Sequence, residues 1–209
     1  MSHTRRSQNP SILLVLGLFA VGAGLVVGLK RSVTVDRGAD SLSVRAKEEA
    51  APSAIPTTAG KRSSNDDKKL WLTRVVGTTD ATFTLAVSDN DGTNRKTIFT
   101  STLPLSQTLT IPYNAWSPDD KLVFLEVGSV GQSPDYWVIR ADGESFTDGK
   151  TYLDVGQYWI DREVPYKIRT ATGWASETLL IVYTYTDTME KGPHYWFDVP
   201  SRTFIQLYR

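Results

Sequence analysis

The 209-residue chain contains no cysteine. That excludes a disulfide, a thiolate metal site and a cysteine nucleophile. A domain of this size buries enough core without disulfides, so their absence does not place it in a reducing compartment. Histidine is nearly as scarce, and past the N-terminal segment only His194 remains. One imidazole without a cysteine cannot assemble a zinc site of the usual type. It has no G-x-S-x-G nucleophile elbow to serve either. His194 therefore reads as a structural or half-exposed residue opening a strand, and neither a metal nor a cofactor is expected. The net charge is zero but unevenly spread. Residues 1–69 hold 11 Lys+Arg and 6 Asp+Glu, a balance of +5, and residues 70–209 hold the other 12 and 17, a balance of −5. An acidic folded part argues against nucleic acid, whose binding rests on phosphate neutralisation.

The N-terminal third is not globular in composition. Residues 1–10 are a short basic tail. Residues 11–29, SILLVLGLFAVGAGLVVGL, are uncharged and apolar. As a helix they span about 28 Å, close to the roughly 30 Å hydrocarbon core. The first reading is a single-pass transmembrane helix and the partner it implies is a membrane. The rival is a cleaved signal peptide with Val21-Gly22-Ala23 as its site, but the apolar run continues past that site to Leu29. Basic residues stand on both sides, Arg5 and Arg6 before the run and Lys30, Arg31 and Arg37 after it, so charge does not orient the span. Ala20, Gly24 and Gly28 recur every four residues, a face that would let two helices approach closely and dimerise; the bland alternative is a plain anchor. Residues 30–62 read as a disordered linker, polar and carrying Pro52 and Pro56, with too little apolar surface to fold alone.

Residues 63–209 are β-rich. Strands are expected over 70–76, 82–88, 95–101, 109–116, 121–128, 135–141, 150–155, 166–172, 178–186, 194–199 and 203–208, with few stretches of helical periodicity. The most informative run is Trp116 to Val127, WSPDDKLVFLEV. Ser117 to Asp120 are turn formers, and Leu122 to Leu125 read as a strand covered on both faces. The unit recurs. Ser64 to Lys68 (SNDDK) matches Ser117 to Lys121 (SPDDK) at an offset of 53, and the run from Trp174 echoes that from Trp116 at 58. Trp196 follows Trp137 at 59. Self-similarity at about this period marks a solenoid or propeller.

These residues resemble the TolB-type, WD-repeat-like β-propeller family, whose repeat runs W-S-P-D-G-K, apolar strand, aromatic strand, D-G turn. The resemblance covers about residues 60–209. Asp120 departs from it where the family prefers glycine, and Ala175-Ser176-Glu177 replaces the Pro-Asp turn. It implies an all-β domain of about three propeller-type blades, an incomplete or arc-like propeller, with a twisted β-sandwich as runner-up. It also implies a C-terminal domain on the extracytoplasmic side of the cell membrane. Its motifs are structural and carry no catalytic residues across.

Three stretches invite a chemical reading. Asp89 to Asn94 (DNDGTN) looks like a calcium loop, but Val87 falls at the first ligand position and no glutamate at the twelfth, so a hairpin turn is the reading. Asp161 and Glu163 could mimic a glycosidase pair, yet hydrolysis also needs a cleft and a raised acid pKa, and an enzyme is not expected. Tyr158, Trp159 and Tyr166 sit in a longer connection with Asp161 and Arg162. Exposed aromatics edged by charge form binding anchors; the alternative is packing against the next sheet. The function expected is a non-catalytic, membrane-anchored module binding a partner protein or an envelope glycan. The alternative is an accessory or gating propeller domain working with a separate peptidase-like hydrolase domain. A possible homodimer, two copies closing one six-bladed ring, completes the expectations.

Overall fold

A computed structural model describes residues 56–63 and 65–207. The basic tail, the apolar segment 11–29 with its Ala20, Gly24 and Gly28 face, and residues 30–55 of the linker lie outside the described residues. Among the described residues no helix is long and apolar enough to cross a membrane.

Three four-stranded antiparallel sheets follow one another along the chain. Sheet 1 holds β1 (Thr57–Arg62), β2 (Lys68–Val76), β3 (Asp80–Asp89) and β4 (Lys96–Pro104). Sheet 2 holds β5 (Gln107–Thr110), β6 (Leu122–Ser129), β7 (Asp135–Arg140) and β8 (Leu153–Asp154). A short helix, α1 (Val155–Asp161), leads to sheet 3, made of β9 (Lys167–Trp174), β10 (Leu179–Tyr185), β11 (Lys191–Asp198) and β12 (Thr203–Leu207). Each sheet is a meander, its strands neighbours in chain order.

Strand alternation sorts the side chains into two cores. Leu70, Leu72, Phe83 and Leu85 of sheet 1 pack with Val123, Leu125, Trp137 and Ile139 of sheet 2. Leu122, Phe124, Tyr136 and Val138, on the other face of sheet 2, pack with Leu180, Val182, Tyr195 and Phe197 of sheet 3. Sheet 2 is thus covered on both faces, which is why Leu122 to Leu125 are all buried. Trp116 is 4 % exposed and bridges to Val123 ahead of β6.

The turn before β6 recurs with matching hydrogen bonds. Ser117 N donates to Leu122 O and Asp120 N to Ser117 O; Ser63 N donates to Lys68 O and Asp66 N to Ser63 O. The match is therefore Ser63 with Ser117, an offset of 117 − 63 = 54 rather than 53. Asp66 and Asp120 hold φ of 57° and 56°. That left-handed conformation favours glycine and tolerates aspartate. In the third turn Ala175 N donates to Leu179 O, one residue shorter, so strand positions after it match at 179 − 122 = 57. Leu70, Phe124 and Ile181 are equivalent by these offsets.

A one-residue slip sends every side chain of a strand to the opposite face, and the tryptophan match shows it. Trp137 pairs with Leu125 and faces sheet 1. Tyr195 pairs with Val182 and faces sheet 2. Tyr195, not Trp196, occupies the position of Trp137, at 195 − 137 = 58.

Other expectations also shift. Residues 57–62, read as linker, form β1 paired along β2. The strand expected over 109–116 is β5 alone, followed by the isolated bridge at Trp116; Pro112 has no N–H for a ladder. The strand expected over 150–155 is only Leu153–Asp154 before α1 begins.

Candidate functional site

The residues nominated as a binding surface gather on and after α1. Asp154 caps the helix, its Oδ1 accepting from Gln157 N at 2.7 Å. A capping acid with Gln three residues on, then apolar Val155 and Trp159 four apart, is a helix signature. It is the signal that a reading by strand alternation passes over.

The nominated side chains divide by burial. Trp159 is a core residue at 5 % exposure. Its indole N–H donates to Tyr166 O at 2.7 Å, and its ring meets Tyr195 and Phe204 edge-on at 5.0 and 4.6 Å. It packs against sheet 3 and is not an exposed anchor. Tyr158 is half-buried, stacked on Phe197 at 5.8 Å, its hydroxyl accepting from Lys150 Nζ at 3.0 Å. Tyr166 is half-buried, while Asp161 and Arg162 are exposed. Asp161 Oδ1 accepts from Gln157 Nε2 at 2.8 Å.

Two clefts flank this helix. One of about 500 Å³ is lined by Ser133, Asp135, Gln157, Glu163, Tyr166 and Lys167 among others. The second, about 370 Å³, takes in Arg162, Pro165, Tyr195 and Gln206. The connection therefore contributes Tyr166 to the first and Arg162 to the second.

Asp135, which sequence reasoning passed over, is the most perturbed acid in the first cleft. Its Oδ1 accepts from Tyr136 N at 2.6 Å and Gly156 N at 2.7 Å. A Cβ on Gly156 would stand 2.4 Å from that oxygen, so only glycine lets the helix start reach the carboxylate. Burial, with the charge of neighbouring Asp154 adding to it, pushes Asp135 up to about 7 against the two backbone donors. Neutral pH thus falls in its titration range. Asp154 and Asp135 adjoin each other.

The other candidates are satisfied locally. Asp91 Oδ1 accepts from Thr93 N and Oγ1, and Asp89 Oδ2 from Asn94 Nδ2, within the β3–β4 hairpin. That loop is the turn its sequence suggests. His194 is half-buried on β11 with its ring 4.2 Å from that of Tyr183. Among the described residues no group of three metal-ligating side chains converges. A third cleft, about 330 Å³, lies among Asp119, Lys121, Phe146, Glu177 and Arg202. Its cations are partnered, Arg202 with Asp148 at 2.8 Å and Arg140 with Asp142 and Glu144.

Compared with protein-family models, curated proteins and solved structures, the chain matches none of them.

Proposed function

We propose that the chain is a non-catalytic binding module of the cell envelope. In this reading residues 11–29 anchor it as a single pass, a tether follows, and a propeller-like domain of three blades stands on the extracytoplasmic side. The domain takes a partner protein or an envelope glycan beside α1. The recurrence of faces supports the blade reading. Leu70 in sheet 1 and Phe124 in sheet 2, at equivalent positions, each pack toward the sheet that follows.

The observation that carries binding is the cleft beside α1. Ser133, Gln157, Glu163 and Lys167 supply donors and acceptors around the half-buried Tyr166 ring and Ile168. A concave, partly apolar site with a few convergent polar groups suits an extended peptide or a sugar. Asp135 is tied down by two backbone N–H groups at the edge of this cleft.

The test uses full-length chain in two assays: crosslinking and capture from solubilised membranes, and co-sedimentation with insoluble cell-wall polysaccharide. Tyr166→Ala and Lys167→Ala, both in that cleft, should each lower retention of the bound partner or glycan by about tenfold. Retention by neither assay, or retention indifferent to both substitutions, overturns the reading. Recovery of full-length chain in the soluble fraction, with an intact N-terminus, overturns the anchor separately.

A further inference from the structure

The strands meet turns at two ends of the domain, and the turns differ in chemistry. One end holds the turns that open β2, β6 and β10 and the hairpins β3–β4 and β11–β12. Charge runs through these turns, with Asp66, Asp67, Asp91, Asp119, Lys121 and Glu177 among them. At the opposite end the turns of sheets 1 and 2 are residues 77–79, 105–106 and 130–134, and none of these residues is charged.

This second end carries exposed hydrocarbon instead. Val75 and Val76 lead into the first turn, Leu105 stands in the second and Val130 tips the third. Met189 in the β10–β11 hairpin and Ile160 near the end of α1 add to them. Val130 is 91 % exposed and Met189 72 %. Of the exposed large apolar side chains among the described residues, only Tyr113 and Ile205 stand away from this end. Hydrogen bonds hold the turns beside one another. Leu105 N donates to Thr79 O, the Ser133 and Tyr185 hydroxyls lie 2.6 Å apart, and Gly156 N reaches Asp135. The turns are also closed on themselves, Gly77 N on Asp80 O, Gln132 N on Ser129 O and Met189 N on Thr186 O. Their tips leave water with these backbone groups already paired.

We propose that this end is a lipid-contacting surface, its apolar tips dipping into the interface of a phospholipid bilayer. The inference rests on the membrane anchor of the proposed function and not on the ligand of the α1 cleft. The place where the chain enters supports it. β1 begins at Thr57, opposite Arg74 near the end of β2, so the chain enters the domain on the side of the tips. Entry at the other end would set the tips back by the length of a nine-residue strand, about 30 Å. Lone apolar residues on separate uncharged turns pass between headgroups one by one, whereas a protein partner meets a continuous apolar patch. Charges at this end lie toward sheet 3 and are mixed. Asp161, Arg162 and Glu163 follow Ile160, Asp187, Glu190 and Lys191 flank Met189, and Lys167 pairs with Asp187 at 3.0 Å. Asp80, Asp135 and Asp154 stand at strand ends. The balance is acidic, which disfavours an anionic leaflet and fits a zwitterionic headgroup, whose outermost group is a cation. Shallow burial of a few side chains is a weak contact, and tethering to the same surface raises its occupancy.

The absence of native cysteine makes the test direct. Val130→Cys, Met189→Cys and Tyr113→Cys each put one thiol on an exposed position. Tyr113, under Lys61 ahead of β6, belongs to the opposite end. Each full-length chain is labelled with a polarity-sensitive thiol dye and reconstituted into phosphatidylcholine vesicles carrying a nitroxide quencher just below the headgroup. Quenching of the Val130→Cys and Met189→Cys labels should exceed that of Tyr113→Cys by about threefold or more. Equal quenching of all three, or none at the two tips in vesicles that retain the chain, overturns the lipid contact alone. Vesicles that do not retain the chain overturn the anchor as well. Shielding of the two tips in native membranes but not in pure lipid overturns the contact in favour of a protein partner.

Discussion

The outer faces of sheets 1 and 3 come from the same strand order and the same alternation, and differ in what that alternation carries outward. In sheet 1 the outward positions of β3 and β4 are largely threonine, and β2 carries Lys69, Trp71, Thr73 and exposed Val75. In sheet 3 they are Leu179, Ile181 and Tyr183 on β10, His194, Trp196 and Asp198 on β11, and Thr203, Ile205 and Leu207 on β12. Threonine keeps the β-branched preference for an extended backbone and adds a hydroxyl that water or a neighbour satisfies. Sheet 1 thus ends the stack as terminal repeats do, with a polar cap. Sheet 3 has the inward composition on its outward side. Strand formation tolerates either choice; what distinguishes the faces is what each can meet.

Truncations at equivalent positions break the comparison most strongly. Phe124→Ala, in the core between sheets 2 and 3, should cost about 3–5 kcal/mol and Leu70→Ala about 2–5 kcal/mol, since each leaves a cavity. Ile181→Ala at the same position of sheet 3 should cost about 1 kcal/mol, because water already reaches the site. Urea midpoints of the three variants check the series. A loss at Ile181 as large as at Phe124 would mean that its face is covered.

A pH effect comes next and separates the packed interior from both outer faces. Asp135 is pushed up to about 7 from its ordinary 3.8. The folded state therefore holds a proton that the unfolded chain releases, and this contribution is fully present below about pH 4 and is lost as pH rises through about 7. Wild type should lose stability relative to Asp135→Asn between pH 5 and pH 8. Parallel denaturation curves at the two pH values for both proteins would show the raised pKa to be wrong.

The smallest stability effect belongs to the threonine face. Thr73→Val and Thr84→Val should each change stability by about 0.5 kcal/mol or less, in keeping with surface substitutions. Made together with Thr82→Val, they should turn the cap into a second apolar face. Light scattering should then show mass rising with concentration, because apolar faces stand at both ends of the stack and each can bury the other.

Much of the fold was readable from periodicity. The strand cores of β2, β3, β6, β7, β9, β10, β11 and β12 were expected within a few residues, since alternation and turn chemistry are local. Register was not. The repeat offsets of 53 and 59 each missed by one, because similar letters flank the turns and only the hydrogen bonds choose among them. At the site, Tyr166 and Arg162 do border clefts, while Trp159 belongs to the core. Asp135 gave no local signal. Its pKa is raised by burial and by the charge of Asp154, which lies about twenty residues away in sequence and meets it only in the fold.

By itself the sequence determined the material: no thiol chemistry, one apolar segment apart from a β-rich region, and a repeating turn-strand-strand unit. These depend on composition and on contacts within about ten residues. The tertiary structure alone decided the rest. Thr57–Arg62 has no inward apolar alternation and became a strand because β2 had an open edge to pair with. Asp154 to Asp161 became a helix through its cap and through Trp159, buried against Tyr195 and Phe204. Which face of each sheet looks inward follows from which neighbour it meets, and that neighbour lies more than fifty residues away, beyond the reach of any local pattern.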